Sequence, residues 1–254
     1  MNLVVPLEGV LAFCLALTRL LGVFLFAPIY GHEAVPMRVR VGLAAVLAWV
    51  AAPASLPELW SSQAFGLAIA REALIGVSLG FAASIVFSGF ALMGELAAVQ
   101  GGLGAAAVLD PSSGANSVVL STLIGTIAAL VFLVTGGHHE VLRAVFLSFE
   151  ALPVGLGALP ASGFASIASA GAIVFEVAVR IAAPFTVAML ASNVAVGMLG
   201  RAIPQLNLIA LQLPAQIGLT LLLMALAAGL LVEEFAATLD AELPRLLGAL
   251  WGAA

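Results

Sequence analysis

The stretch AIPQLNLIALQLPAQIGLTLLLMALAAGLLV, residues 202–232, contains no charged side chain. A helix rises 1.5 Å per residue, so about 20 apolar residues cross a hydrocarbon core of about 30 Å. The stretch is therefore longer than one membrane crossing requires. It predicts a helix that is embedded in lipid.

Other uncharged intervals extend this interpretation along the chain. Residues 73–94, 111–139, 151–175 and 181–200 also lack charge, and the whole sequence is 63% hydrophobic and 8% charged. Soluble domains carry about 25% charged residues because their surface faces water. We therefore predict an all-α, polytopic helical membrane protein, with 1–254 as a single integral membrane domain.

About six long hydrophobic segments are expected, in hairpins broken by proline and glycine. They cover about 9–27, 39–52, 65–93, 117–136, 163–199 with a break near Pro184, and 206–232. Strands are not expected, because backbone in lipid must bond internally and no period-two pattern is present. The stretch 136–163 is predicted to be the longest connection, and 233–254 an acidic tail.

The N-terminal apolar run has no basic residue in front of it. A cleavable signal peptide begins with a basic region, so we expect this run to be a retained first membrane segment. The net charge of −5 argues against a nucleic acid partner, because phosphate binding needs basic clusters.

The sequence GVSLG, residues 76–80, matches the nucleophile-elbow pattern of hydrolases. That pattern needs a sharp strand-to-helix turn to expose its serine, whereas this one lies within a predicted apolar helix. We predict instead that Gly76 and Gly80 allow a neighbouring helix to pack closely.

His138, His139 and Glu140 are the candidates for a metal site. Neighbouring helical residues point about 100° apart, so the two imidazoles do not converge on one ion. We expect interfacial or capping histidines, and neither a metal nor a cofactor.

Charged residues within or beside the apolar segments form another set of candidates. A charge at the bilayer centre costs about 2.5–3.5 kcal/mol on insertion scales and persists where it faces the bundle interior or water. Glu176 and Arg180 lie four residues apart in the favourable order, which predicts an ion pair on one helix face. A structural pair and a role in a transport pathway both remain open. The full set is Arg19, Arg71, Glu72, Glu95, Glu176 and Arg180.

Polar residues and prolines also interrupt the last two apolar segments. Such residues usually bond neighbouring helices or leave a kink, and we predict contacts between helices. They are Arg201, Pro204, Gln205, Asn207, Gln212, Pro214 and Gln216.

The most loop-like stretch is GGLGAAAVLDPSSGANS, residues 101–117. Its glycines, proline and small polar residues disfavour a regular helix. Non-helical backbone at membrane depth is allowed only inside protein or beside an aqueous cavity. An ordinary loop outside the membrane is the alternative, but the apolar run AAAVL favours a buried loop that faces a pore. The candidate loop residues are Gly101, Gly102, Gly104, Asp110, Pro111, Ser112, Ser113, Gly114 and Asn116.

Four stretches resemble, in order, the FliR family of type III secretion export-gate membrane proteins. They are PIYGHEAVPMRVRVGLA (28–44), GELAAVQGGLGAAAVLDPSSGANSVVLSTL (94–123), GGHHEVLRAVFLSFEALPVG (136–155) and RAIPQLNLIALQLPAQIGL (201–219). The D-P-x-S-G-A-N-S and P-Q-x-N blocks are the most specific parts of this likeness.

The resemblance implies a channel-forming structural subunit of the flagellar export gate, at the base of the flagellum in the bacterial inner membrane. It implies assembly with FliP and FliQ, contact with FlhB, and passage of unfolded export substrates. It also implies that residues 101–117 match the family's plug loop, here rich in alanine where bulkier apolar residues are common.

Three alternative functions predict different features of the chain. An injectisome export-gate homologue would share the same architecture. A small-solute secondary transporter would use broken helices near the midplane, for which Pro184 and Pro214 are candidates, although no internal repeat accompanies them. An intramembrane enzyme would need a converging nucleophile and base, and the sequence offers none.

Overall fold

The computed structural model describes residues 7–32, 34–52, 62–102, 118–158, 160–202 and 208–250. This part of the chain contains seven helices and no strand, which confirms the all-α prediction. The helices are α1 Leu7–Phe26, α2 Met37–Ala51, α3 Ser62–Gln100, α4 Val118–Val134, α5 Gly137–Ala151, α6 Ala161–Ala202 and α7 Leu208–Ala249.

Within the described ranges, three segments are long and apolar enough to cross a membrane: Glu8–Phe26, Phe65–Gln100 and Pro214–Ala249. A fourth span results if the bent pair Thr122–Val134 and Gly137–Ala151 is counted as one. The prediction of about six long hydrophobic segments is therefore not confirmed. The chain is nevertheless a polytopic helical membrane protein.

The connection predicted over 136–163 is wrong for its first half, because α5 occupies Gly137–Ala151. The charged residues of this stretch suggested a loop. In the structure, buried residues recur at helical spacing, so α5 is an amphipathic helix with its charges on other faces. The buried residues are Gly137, Val141, Ala144, Val145 and Ser148.

The end of the chain also differs from the prediction, since α7 continues past residue 232 to Ala249. Phe235, Leu239, Leu243 and Leu247 are buried at four-residue intervals. This spacing places one apolar face along the helix, so residues 233–249 continue α7 despite their acidic side chains.

The break expected near Pro184 is also absent, because α6 is one continuous helix from Ala161 to Ala202. Proline removes one backbone donor from a helix. Membrane helices tolerate that loss where neighbouring groups satisfy the freed carbonyl.

The chain divides into two compact units. Unit 1 comprises Met1–Val86, Leu133–Ala172 and Leu239–Ala254. Unit 2 comprises Phe87–Phe132 and Ile173–Thr238.

Glycines bring α1 and α3 into close contact within unit 1. A Cβ atom on Gly76 would overlap the backbone carbonyl of Arg19, and one on Gly80 would lie 2.5 Å from the Val23 oxygen. Gly22, on α1, faces the backbone of α3 in turn, where a Cβ atom would lie 2.9 Å from the Val77 nitrogen. The predicted packing role of Gly76 and Gly80 is therefore confirmed.

Candidate functional site

Gly101 and Gly102 are the described part of the predicted loop, and they follow the last turn of α3 in unit 2. The Gly101 amide donates to the Ala97 carbonyl at 2.9 Å, and the Gly102 amide donates to the Val99 carbonyl at 3.3 Å. Gly102 has φ +74°, a left-handed conformation that glycine adopts without steric cost. The pair therefore ends the helix in the way that glycine often does.

The same two glycines lie directly against α7. A Cβ atom on Gly101 would overlap the hydroxyl of Thr220, and one on Gly102 would lie 3.0 Å from Gln216 Oε1. Thr220 is fully buried and Gln216 is 9% exposed. The end of α3 can approach Thr220 this closely because Gly101 lacks a side chain.

Four uncharged polar side chains connect α3, α6 and α7 next to this contact. Gln100 Nε2 donates to Thr186 Oγ1 at 3.1 Å, and Gln216 Nε2 donates to Asn193 Oδ1. We call Gln100, Thr186, Asn193 and Gln216 the polar clasp. Amide and hydroxyl groups in an apolar bundle typically bond between helices in this way.

Thr220 extends the clasp along α7. Its hydroxyl donates to the Gln216 carbonyl at 2.8 Å and lies 3.8 Å from Met189 Sδ on α6. The prediction that Gln216 contacts a neighbouring helix is confirmed. Sequence reasoning missed Gln100, Thr186 and Asn193, although isolated polar residues in apolar helices were the available signal.

The other predicted loop residues lie outside the described residues, and so do three predicted packing residues. They are Gly104, Asp110, Pro111, Ser112, Ser113, Gly114 and Asn116 in the loop, and Pro204, Gln205 and Asn207 after α6.

A buried ion pair joins α1 and α3 in unit 1. Arg19 and Glu72 are both 0% exposed. Arg19 Nε lies 2.6 Å from Glu72 Oε2, and Nη2 lies 3.1 Å from Oε1. This two-point geometry is the strong form of an arginine–carboxylate pair.

The remaining guanidinium donors are used by the C-terminal end of α5. Arg19 Nη1 donates to the Ser148 carbonyl at 2.9 Å and to its hydroxyl at 3.2 Å, and Nη2 donates to the Leu152 carbonyl at 2.9 Å. All five guanidinium N–H groups thus have an acceptor. A cation near the last carbonyls of a helix also complements the helix dipole.

Two further contacts complete this cluster. The Gly155 amide donates to Glu72 Oε1 at 2.7 Å, so the carboxylate also holds the turn after α5. The Phe149 ring lies 4.3 Å from Arg19 Cζ, within the range of a cation–π contact. Arg19 and Glu72 therefore tie together α1, α3 and the end of α5.

The other predicted charges lie on the surface of the single chain. Arg71, Glu95 and Arg201 are exposed. Glu176 and Arg180 pair as predicted, but their side chains are 65% and 67% exposed. Burial of this pair within a larger bundle stays a prediction.

Tyr30 connects the loop after α1 to the start of α5. Its ring stacks on Phe24 with centroids 4.7 Å apart, and its hydroxyl donates to the His138 carbonyl at 3.4 Å. Burial raises the pKa of the Tyr30 phenol. The His138 and His139 rings pack against each other, and the described residues include no cluster of three or more metal-ligating side chains.

Comparison with known proteins identifies a family. The family model for bacterial export proteins, family 1, matches residues 10–241. The chain is similar to the flagellar biosynthetic protein FliR of Escherichia coli K12, with 33% identity over 91% of this chain and 89% of that protein. FliR of Pectobacterium carotovorum is 32% identical, over 90% of this chain and 88% of that protein. FliR of Bacillus subtilis is 31% identical, over 84% of both.

Proposed function

The chain belongs to the bacterial export proteins, family 1, and on that premise we propose that it is a channel-forming structural subunit of the flagellar type III protein export gate. It is a component of the flagellar export apparatus and a protein of the bacterial inner membrane. The finer assignment is that it assembles with FliP and FliQ, contacts FlhB and passes unfolded flagellar proteins. The observation that carries it is a similarity to FliR proteins that extends over about nine-tenths of the chain.

Exposed apolar surface on α6 and α7 supports an assembled state. The most apolar window of α7 is only 6% buried within the chain, against 61% for α3. Large apolar side chains on α6 are likewise more than half exposed. They are Phe175, Val179, Val187, Leu190, Val194 and Met198. A continuous surface of this kind needs lipid or partner helices to cover it.

The proposed role is structural, so we assign no residue a catalytic function. Arg19 and Glu72 use their polar groups on each other and on the backbone near α5, which suits a fixed support. We assign closure of the channel to residues 101–117. The support for this is the glycine-ended α3, the turn-forming composition and the likeness to the family's plug loop.

The small-solute transporter loses its main support in this structure. It rested on broken helices at Pro184 and Pro214, and α6 is continuous through Pro184. The three relatives described above are named as flagellar proteins, which favours the flagellum over the injectisome for this chain.

Co-expression tests the proposed assembly. The tagged chain, produced with FliP and FliQ from the same bacterium, should retain both proteins through detergent purification and gel filtration. Produced alone, it should not give a monodisperse monomer that melts cooperatively, because its exposed apolar helices lack partners. A well-behaved monomer that retains neither protein would contradict the proposal.

A further inference from the structure

We propose that the polar clasp is a releasable lock, which holds α3, α6 and α7 of unit 2 together at rest and opens during export. The inference rests on the proposed function, because it assigns a moving part to the export channel. It depends on described residues alone: the four clasp residues, the glycines beside them and two prolines.

The clasp is held by weak hydrogen bonds between uncharged side chains. All four clasp side chains are uncharged, and each cross-helix hydrogen bond shifts an equilibrium by only about two- to tenfold. Unit 2 also has a purely apolar contact, in which the Phe90 and Phe235 ring centroids lie 4.0 Å apart. Apolar packing is non-directional and suits a permanent core, whereas two directional bonds define one arrangement and release it at low cost.

Two prolines lie close to clasp residues in the sequence. Pro184 lies two residues before Thr186, and Pro214 lies two residues before Gln216. Each proline deprives its helix of one backbone hydrogen bond, and such positions are where helices kink. α6 can therefore bend within one turn of Thr186, and α7 within one turn of Gln216.

The glycines at the end of α3 pack closely against α7. Gly101 fits against Thr220 with no room for a Cβ atom, and Gly102 packs on Gln216. This close packing of glycine backbone against α7 is possible only while the three helices keep their positions. Thr220 also contacts Met189, a flexible side chain that can adapt when the helices move.

A reversible cross-link tests the lock. In a Cys14→Ala background, Gln100→Cys with Thr186→Cys places one thiol on each of two residues whose side chains are hydrogen-bonded in the clasp. The chain, assembled in cells that lack the natural copy, should export a flagellar substrate when reduced, and this reduced level is the reference for the oxidised one. Oxidation should lower export at least tenfold, and reductant should restore it.

The matched control is Phe13→Cys with Trp49→Cys, which joins α1 and α2 at a ring contact of unit 1. Oxidation there should leave export unchanged. A gel shift after protease cleavage measures cross-link formation in both variants. Where the disulfide yield is low, a short bis-maleimide replaces oxidation, and untreated cells are then the reference because reductant does not break that link.

A complementary variant removes one of the two clasp hydrogen bonds without a cross-link. Asn193→Leu with Gln216→Leu should raise the resting leak of the assembled gate about two- to tenfold. Thr238→Val is the matched control, because that hydroxyl donates to the Glu234 carbonyl of its own helix.

The outcomes separate the lock from the proposed function. Undiminished export through the fully cross-linked Gln100–Thr186 pair would overturn the lock and leave the function intact. Equal loss of export in the Phe13–Trp49 control would overturn it as well. Cells that lack the chain and still export as well as wild type would refute the proposed function itself.

Discussion

Arg19 on α1 and Glu72 on α3 face each other with Nε 2.6 Å from Oε2, and neither side chain is exposed. Arg19 also donates to the Ser148 carbonyl, and Glu72 accepts a hydrogen bond from the Gly155 amide. A buried ion pair contributes reliably only when its remaining polar groups are satisfied, and this one meets that condition. We infer that it determines how the end of α5 docks on α1 and α3.

Removing one member of this pair should destabilise the protein more than removing both. Arg19→Met or Glu72→Met alone leaves an uncompensated buried charge, at a cost of about 3–5 kcal/mol. The double variant should cost clearly less than the sum of the two single variants. Denaturation of the purified assembly in increasing SDS measures this coupling, and strictly additive losses would contradict it.

Lysine should not replace Arg19. Lys has three donors on one ammonium and cannot form the two-point contact with Glu72 while also reaching Ser148 and Leu152. Arg19→Lys should therefore lose most of the stability that Arg19→Met loses in the same assay. Near-wild-type resistance to SDS would show that charge alone, without the fork geometry, is sufficient.

Gly76 is expected to tolerate no side chain. Gly76→Ala would drive a methyl group into the Arg19 carbonyl and push α1 from α3, and such overpacking costs about 1–3 kcal/mol. Gly66 is a matched control on the same helix, since nothing lies within 4 Å of its Cβ position. Gly66→Ala should be neutral or stabilising by up to about 1 kcal/mol. Unfolding of the two variants in parallel tests the contrast, and equal effects would contradict close packing at Gly76.

Glu176 and Arg180 should couple more strongly in the assembly than their exposure in one chain suggests. An exposed pair at this spacing contributes about 0.3–0.5 kcal/mol. If partner subunits bury it, a double-mutant cycle on assembly yield should give a coupling above about 1 kcal/mol. The surface pair Glu140–Arg143 serves as the reference. A coupling no larger than that reference would leave Glu176 and Arg180 as a surface pair.

Contacts within one helix could be predicted from the sequence, whereas contacts between residues far apart in the sequence could not. The Glu176–Arg180 pair was predictable because both residues lie on one helix, four positions apart. The Arg19–Glu72 pair was not, although both residues were candidates, because 53 residues separate them and only tertiary packing brings them together. Opposite charges in two apolar helices were the available signal.

Helix ends were misjudged for a related reason. In α5 and in the last turns of α7, the charged residues suggested a connection and a tail. Only the burial of Val141 and Val145, and of Leu239 and Leu243, shows that an apolar face runs along each of these helices and that the charges lie away from it. The close packing at Gly76 was predictable, because two small residues four positions apart on one helix indicate a close helix–helix contact.

We propose above all that this chain helps to form an export channel and that residues 101–117 close it. The most direct test is the ion conductance of membranes that contain the assembled gate, with and without a deletion of Gly102–Ala107. The shortened loop should still allow assembly with FliP and FliQ, and the conductance of the resting gate should rise well above that of the wild type. If the deletion assembles normally and the membrane stays as tight as wild type, residues 101–117 are a structural connection and another part of the gate closes the channel.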